Sequence, residues 1–250
     1  MNFSSIKHAR NLKDKRVLTR VDVNVPIEEN KIQDDFRIRR ILPTLKFLVK
    51  SGARAIVLSH HSRPGQSFIP DIFDKNETFD SNEQGIYFCE NLRFYDEEEK
   101  NDKAFAKKLA GLGDIYVNDA FSVSHREHAS IVSLPKFLPS YVGILFEKEI
   151  KNLMVVLTPP HPFLFILAGI KAKTKLPLAK KFVDIADIIF IAGALANNFF
   201  KEKGYEVGNS IFENTTHDFG LSYLLESGKI TLPRDVLVKN KDGSFIKKSD

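Results

Sequence analysis

The chain has 250 residues, of which 43% are hydrophobic, 28% charged and 11% aromatic, with 21 Phe and no Trp. Collagen-like, low-complexity and wholly disordered chains are excluded, and so many Phe require a sizeable core. Lys and Arg number 37 against 32 Asp and Glu, for a net charge of +5 and a pI near 9.1, a mild excess that suits a small anionic ligand as well as nucleic acid or a plain solvated surface.

In chain order, 16–22 (RVLTRVD) reads as a strand. Asp34 or Asp35 then caps a helix whose Ile38, Ile41, Leu42, Leu45 and Leu48 recur at helical spacing. Pro43 inside that pattern predicts a kink or a late start, and Gly52 an end. Residues 54–59 form the next strand, 65–84 a long polar surface loop, and 85–89 a third strand. Asp102 caps a helix carrying Phe105, Ala106, Leu109 and Ala110, and 114–117 is a strand again. This rhythm predicts a parallel sheet with helices on its faces. Residues 147–157, apolar at Ile150, Leu153, Met154 and Leu157, read as a helix joining two lobes. A second block follows, with strands at 163–168 and 187–192 and helices at 171–184 (interrupted by Pro177), 195–203 and 216–227. Short strands come near Ile230 and at 235–238, before a polar tail over 239–250. The second block is expected to be half-built, with apolar surface and strand edges uncovered.

The single cysteine, Cys89, excludes a disulfide within the chain and lies inside a strand, which argues against a nucleophile. The N-terminus has no apolar run after its charges, and the longest apolar stretches, 163–170 and 188–196, fall short of the roughly 18 residues of a membrane span, so a cytoplasmic protein is expected.

Open parallel sheets bind ligands at the carboxyl ends of their strands. Those ends carry RVDVNVP (20–26), SHHSRP (59–64), ENLRF (90–94) and NDAFSVSHR (118–126), so each delivers Arg, Asn, Asp or His to one rim. Arg37, Arg63 and Arg126 suit phosphate or carboxylate, Asp22 and Asn24 suit hydroxyls, and His60 can donate to an anion. Taken singly, each reads more readily as a surface charge or a turn residue, but four consecutive strand ends with the same chemistry favour a ligand site. The histidines at 60, 61, 125 and 128 match no metal-site spacing. In the second block, Gly169 leads into a helix start bearing Lys171 and Lys175, four apart on one face and suited to a nucleotide phosphate. The segment is not a Walker A loop, and the chain has no G-x-S-x-G elbow.

Together these loops resemble phosphoglycerate kinase. The segments that carry the likeness are RVDVNVP (20–26), DDFRIR (34–39), SHHSRP (59–64), ENLRF (90–94) and NDAFSVSHREHAS (118–130). Further ones are KFLPS (136–140), 169–175, GYEVG (204–208) and ITLPRD (230–235), so the likeness runs to about residue 238. It implies a two-lobed phosphotransferase of glycolysis and gluconeogenesis with a carboxyl group as acceptor. Such an enzyme moves a phosphoryl group between 1,3-bisphosphoglycerate and ADP, giving 3-phosphoglycerate and Mg-ATP. By position, Asp22, Asn24, Arg37, His60, Arg63 and Arg126 would bind 3-phosphoglycerate. Lys171 and Lys175 would meet nucleotide phosphates, and Arg37 and Lys171 would steady the moving group. Mg2+ would come with the nucleotide and not from a protein-built site.

Three departures qualify the likeness. The family's later nucleotide-lobe motifs are missing, which predicts weak ADP and ATP binding. Ala168-Gly169-Ile170 and Ala192-Gly193-Ala194 stand where the family has richer glycine runs. His161 replaces an Arg before Pro-Phe, so it either clamps the remote phosphate or lies in a solvated linker. The expected architecture is α/β: a glycerate-binding lobe over 1–146, a connecting helix over 147–161 and an incomplete Rossmann-like lobe over 162–250. A non-catalytic 3-phosphoglycerate binder, and half of a split enzyme completed by a C-terminal fragment, are the alternative readings. Neither a nucleic-acid nor a membrane partner is expected.

Overall fold

The computed structural model describes residues 3–29, 31–61, 85–213, 220–240 and 242–249. It divides into two compact units, Met1–Leu153 and Met154–Asp250. The expected 65–84 loop, Arg63 and the start of the expected 216–227 helix lie outside the described residues.

Unit 1 is built on five parallel strands. These are β1 (Arg16–Arg20), β4 (Arg54–Leu58), β5 (Ile86–Phe88), β6 (Ile115–Asn118) and β7 (Ser140–Val142), in the order β5-β4-β1-β6-β7. A two-residue ladder, β2 (Ile27–Glu28) with β3 (Lys31–Ile32), follows β1. Both sheet faces are covered, as a parallel sheet requires. Val17, Val57, Ile115 and Val117 pack on α1 (Phe36–Lys50) through Ile38, Ile41, Leu45 and Leu48. Leu18, Leu58 and Tyr116 pack on the other side against Ala106 and Leu109 of α3 (Lys103–Ala110). Between β5 and α3 lies the single turn α2 (Asp96–Glu99).

Pro43 neither delays nor ends α1. Proline only removes one backbone donor, and buried Ile38, Ile41, Leu42 and Leu45 on both sides of it hold the helix to the core. At the helix start the work of the two candidate caps is divided. Asp34 Oδ1 accepts the Phe36 N–H at 2.8 Å, whereas Asp35 occupies the cap position without a capping hydrogen bond, its Oδ1 lying 2.9 Å from Arg39 Nε instead. At the sheet edge, Cys89 directly follows β5, and its N–H donates to Val57 O at 3.0 Å. The joining helix, α4 (Ile144–Val155), starts earlier than expected and contains the boundary between the units.

Unit 2 has three parallel strands, β8 (Leu164–Ala168), β9 (Ile188–Ala192) and β10 (Ile230–Thr231), ordered β10-β9-β8. Phe165, Leu167, Ile189 and Ile191 share a core with α5 (Ala172–Phe182), α6 (Leu195–Glu202) and α7 (Leu221–Glu226). Pro177, expected to interrupt the first of these helices, lies inside α5. Strand alternation sends Leu164, Ile166 and Ile188 to the opposite face, where they are 53, 61 and 46% exposed. Residues 235–249 form an antiparallel hairpin, β11 (Asp235–Lys239) with β12 (Phe245–Ser249), where a strand and a polar tail were expected.

Candidate functional site

The carboxyl end of β1 releases the chain into Val21-Asp22-Val23-Asn24, and the valines bury while Asp22 turns its carboxylate to the rim. Asp22 Oδ1 accepts the Asn24 N–H at 2.9 Å. Its Oδ2 accepts both Arg37 Nη1, from the first turn of α1, at 2.8 Å and the Ser122 hydroxyl at 2.5 Å. Burial works against this carboxylate, but the Ser122 and Asn24 hydrogen bonds and the charge of Arg37 outweigh it and hold its pKa below the usual range. Arg37 is 47% exposed, so most of its donors face outward.

His60 leaves the end of β4, next to β1. Ser59 ties the two strand ends together by donating to Val21 O at 2.9 Å and accepting from the Val23 N–H at 3.3 Å. The His60 ring is 5% exposed. Burial, then the charge of Arg20, push its pKa down to about 3, against the pull of Asp22. The charges of Arg93 and Arg126 act on it in the same direction as that of Arg20. Arg126 is exposed, and among the described residues its side chain has no ion-pair partner. His61 turns inward instead, with Nε2 2.8 Å from Val25 O.

The end of β6 contributes Asp119, which is fully buried. Its Oδ1 accepts the Phe146 N–H in the first turn of α4 at 3.0 Å, and Thr44 bonds it from α1. Oδ2 has no partner among the described residues. Burial raises the Asp119 pKa to about 6, against the hydrogen bonds from Thr44, Phe146 and Leu145. Asp22, Arg37, Ser122 and Asp119 line one cavity of about 410 Å3, together with Arg40 and Phe121. The structure therefore brings Asp22, Asn24, Arg37 and His60 together, with the charge of Arg126 acting on His60, and adds Ser122, which the sequence reading did not single out. Its only signal was its place inside the 118–130 segment.

In unit 2, Gly169 (φ 142°) ends β8, and its carbonyl accepts the Leu195 N–H at 2.7 Å. Lys171 is the cap residue of α5 in extended conformation, so it does not share a helical face with Lys175 as expected. The helix begins one residue later, with Thr174 Oγ1 donating to Lys171 O at 3.0 Å. The Lys173 N–H at this helix start donates to Glu213 Oε2 at 2.8 Å, so a carboxylate already sits where a helix N-terminus attracts anions. His161 stands at the opposite, amino end of β8. Its Nδ1 meets Asp187 Oδ2 at 2.7 Å, and a phosphate there would compete with that carboxylate.

A family model described as phosphoglycerate kinase matches residues 6–79 and 67–249. Phosphoglycerate kinase of Coprothermobacter proteolyticus is 37% identical, over 98% of this chain and 70% of that protein. The chain belongs to the phosphoglycerate kinase family. A second relative, phosphoglycerate kinase 3, cytosolic, of Arabidopsis thaliana, is 38% identical over 96% of this chain and 68% of its own length. The solved structure of phosphoglycerate kinase from Coxiella burnetii superposes with a TM-score of 0.81 at 28% identity, covering 99% of this chain and 71% of that one. The chain is thus a phosphoglycerate kinase homologue of the phosphotransferase class, with the α/β architecture that the strand-and-helix rhythm implies.

Proposed function

We propose that unit 1 binds 3-phosphoglycerate. In this reading the chain serves reversible phosphoryl transfer between 1,3-bisphosphoglycerate and ADP, giving 3-phosphoglycerate and ATP, in the cytoplasm. The observation that carries the reading is the Asp22–Arg37 pair beside His60 at the ends of adjacent strands. Phosphoryl transfer needs positioning and charge neutralisation and no covalent intermediate. Asp22 and Asn24 hold the glycerate hydroxyl, and Arg37 turns its remaining donors to the carboxyl end. Arg126, with Arg63 outside the described residues, takes the remote phosphate. In unit 2, Lys171, Lys175 and the start of α5 take nucleotide phosphates once Glu213 is displaced. Arg37 and Lys171 each neutralise phosphoryl oxygens. Among the described residues no group of three or more His, Cys, Asp or Glu could hold a metal ion. Mg2+ belongs with the nucleotide phosphates, and no residue is assigned to it. His161, already on Asp187, is given no substrate contact.

Saturating 3-phosphoglycerate, at one hundred times its Kd, is expected to raise the melting temperature by about 5–10 °C. Arg37→Ala and Arg126→Ala should each remove that rise. A folded protein with no shift at millimolar ligand overturns the reading. A shift without turnover in a coupled assay with Mg-ADP identifies a non-catalytic binder instead.

The open face of the unit 2 sheet favours a second proposal. Parallel sheets bury both faces, yet Leu164, Ile166 and Ile188 are exposed on this one. We propose that its occupant is the stretch of sequence by which the relatives exceed their match to this chain. Mixing this chain with that stretch of the Coprothermobacter relative should give a one-to-one complex and quench binding of an apolar dye. Ile166→Lys should prevent both. An unchanged mass and dye signal would remove the proposal.

A further inference from the structure

Arg20 is the largest fully buried side chain among the described residues, at 1% exposure, and each of its three nitrogens has a defined acceptor. Nε donates to Ser130 Oγ at 3.0 Å, Nη1 donates to Val21 O, and Nη2 lies 3.0 Å from His60 Nδ1. A guanidinium has no acceptor, so His60 Nδ1 must accept, and the ring proton of a neutral His60 must then sit on Nε2. Ser130 Oγ, occupied by the Arg20 donor, sends its own proton to Glu98 Oε1 at 2.5 Å. The Ser130 N–H reaches Glu98 Oε2 at 2.9 Å. Glu98, on α2, is 1% exposed and supplies the counter-charge to Arg20. Arg20 thus donates both ways, to His60 Nδ1 on one side and to Ser130 Oγ on the other, and Ser130 passes its own proton to a buried carboxylate.

We infer that Arg20, held by Ser130 and Glu98, is a positioning residue that confines the His60 proton to Nε2 and so offers the substrate a neutral N–H donor at a fixed angle. This rests on the reading that 3-phosphoglycerate binds at unit 1. The charged groups acting on the ring are Arg20, Asp22, Arg93 and Arg126, three cations against one carboxylate, and burial adds to the cations in opposing a second ring proton. Among the described residues Nε2 has no hydrogen-bond partner, which leaves it for a ligand oxygen. Affinity should then respond to pH through the substrate's phosphate and not through His60.

The test is the ring 15N spectrum of His60, assigned by its loss in His60→Gln and recorded on the full chain without ligand. The expected result is a pyridine-type Nδ1 and a protonated Nε2, unchanged from pH 8 to pH 5. A protonated Nδ1, or an imidazolium above pH 5, overturns the inference. Ser130→Ala, which removes one hydroxyl, should let the two tautomers average and weaken 3-phosphoglycerate binding about tenfold. Unaltered ring shifts and affinity in Ser130→Ala would reduce the buried chain to a structural brace and overturn the positioning role. Glu98→Gln is a second probe, but Ser130→Ala stands alone should that variant not fold. The ring spectrum needs no substrate. The expected tautomer with no 3-phosphoglycerate binding would therefore fault the site reading and leave the tautomer assignment standing.

Discussion

Gly143→Ala should destabilise unit 1 by about 3–5 kcal/mol, seen as a lower urea midpoint at unchanged slope. A Cβ on Gly143 would stand 2.2 Å from Asp119 Oδ1, 2.3 Å from its Cγ and 2.6 Å from its Cβ. No real Cβ tolerates such approach, and the neighbour is not a flexible tip. Asp119 is fully buried, and its Oδ1 holds the first turn of α4 through Phe146 N–H. Moving it leaves that donor, and the Thr44 hydroxyl proton, without the Asp119 acceptor away from water, which adds hydrogen-bond loss to overpacking. The strain and the cap belong to one side chain, so Asp119→Ala alone is harmful while the double variant should be less so than the two losses summed. Additive losses, or a Gly143→Ala protein as stable as the parent, would show that the backbone yields at no cost.

Acid should unfold the protein through His60. The unfolded chain takes up a proton at this residue near pH 6.5, whereas the folded site, by burial and the charge of Arg20, resists until about pH 3. The folded pKa is depressed, so stability from this group is present above pH 6.5 and is lost as pH falls toward 3. In the limit that is roughly 5 kcal/mol. Asp119 has the opposite sign: burial raises it to about 6, so its contribution is lost as pH rises through about 6. Asp119→Asn is therefore the background in which to follow urea midpoints between about pH 6.5 and pH 4. The slope against pH should fall clearly when His60→Gln is added, since Gln can still accept from Arg20, and the remainder belongs to His128, also depressed by burial, and to carboxylates such as Glu147 that are held low in the folded chain. A slope unchanged by His60→Gln assigns the acid sensitivity elsewhere.

Much of the scaffold was legible because its signals are local. β1, β4, β8 and β9 are β-branched or leucine-rich runs, and α1 and α3 carry one apolar stripe each. The failures are non-local or too short. Ser140–Val142 has three residues after Pro139, and only its pairing with Tyr116–Asn118 makes it a strand. β12 is likewise a matter of pairing: β11 was expected as a strand, but its partner lies in a segment whose composition reads as a polar tail. For the site, strand-end position pointed to Asp22 and His60, and residue type to Arg37. It did not point to the groups behind them. Glu98 belongs to the run Asp96-Glu97-Glu98-Glu99, which reads as a solvated face. Its burial is decided by Ser130, 32 residues on, and by Arg20, at the other end of the unit's chain. Lys171 shows a smaller limit: spacing put it on the helix, and one residue of offset at the helix start puts it ahead of it.

Cys89 gives the sheet edge a clock. It is the only thiol in the chain, it stands half-buried just past β5, and burial together with neighbouring Glu90 pushes its pKa up. In the closed sheet it is therefore both shielded and largely protonated, the two conditions that slow a thiol toward electrophiles. Alkylation must wait for the Cys89–Val57 hydrogen bond and its surroundings to part, so the ratio of its rate to that of an unstructured thiol reads the free energy of local opening there. His60 follows β4, the strand beside β5, so that ratio, taken with and without ligand, reports from a covalent mark how far occupancy of the rim is felt at the edge of the sheet.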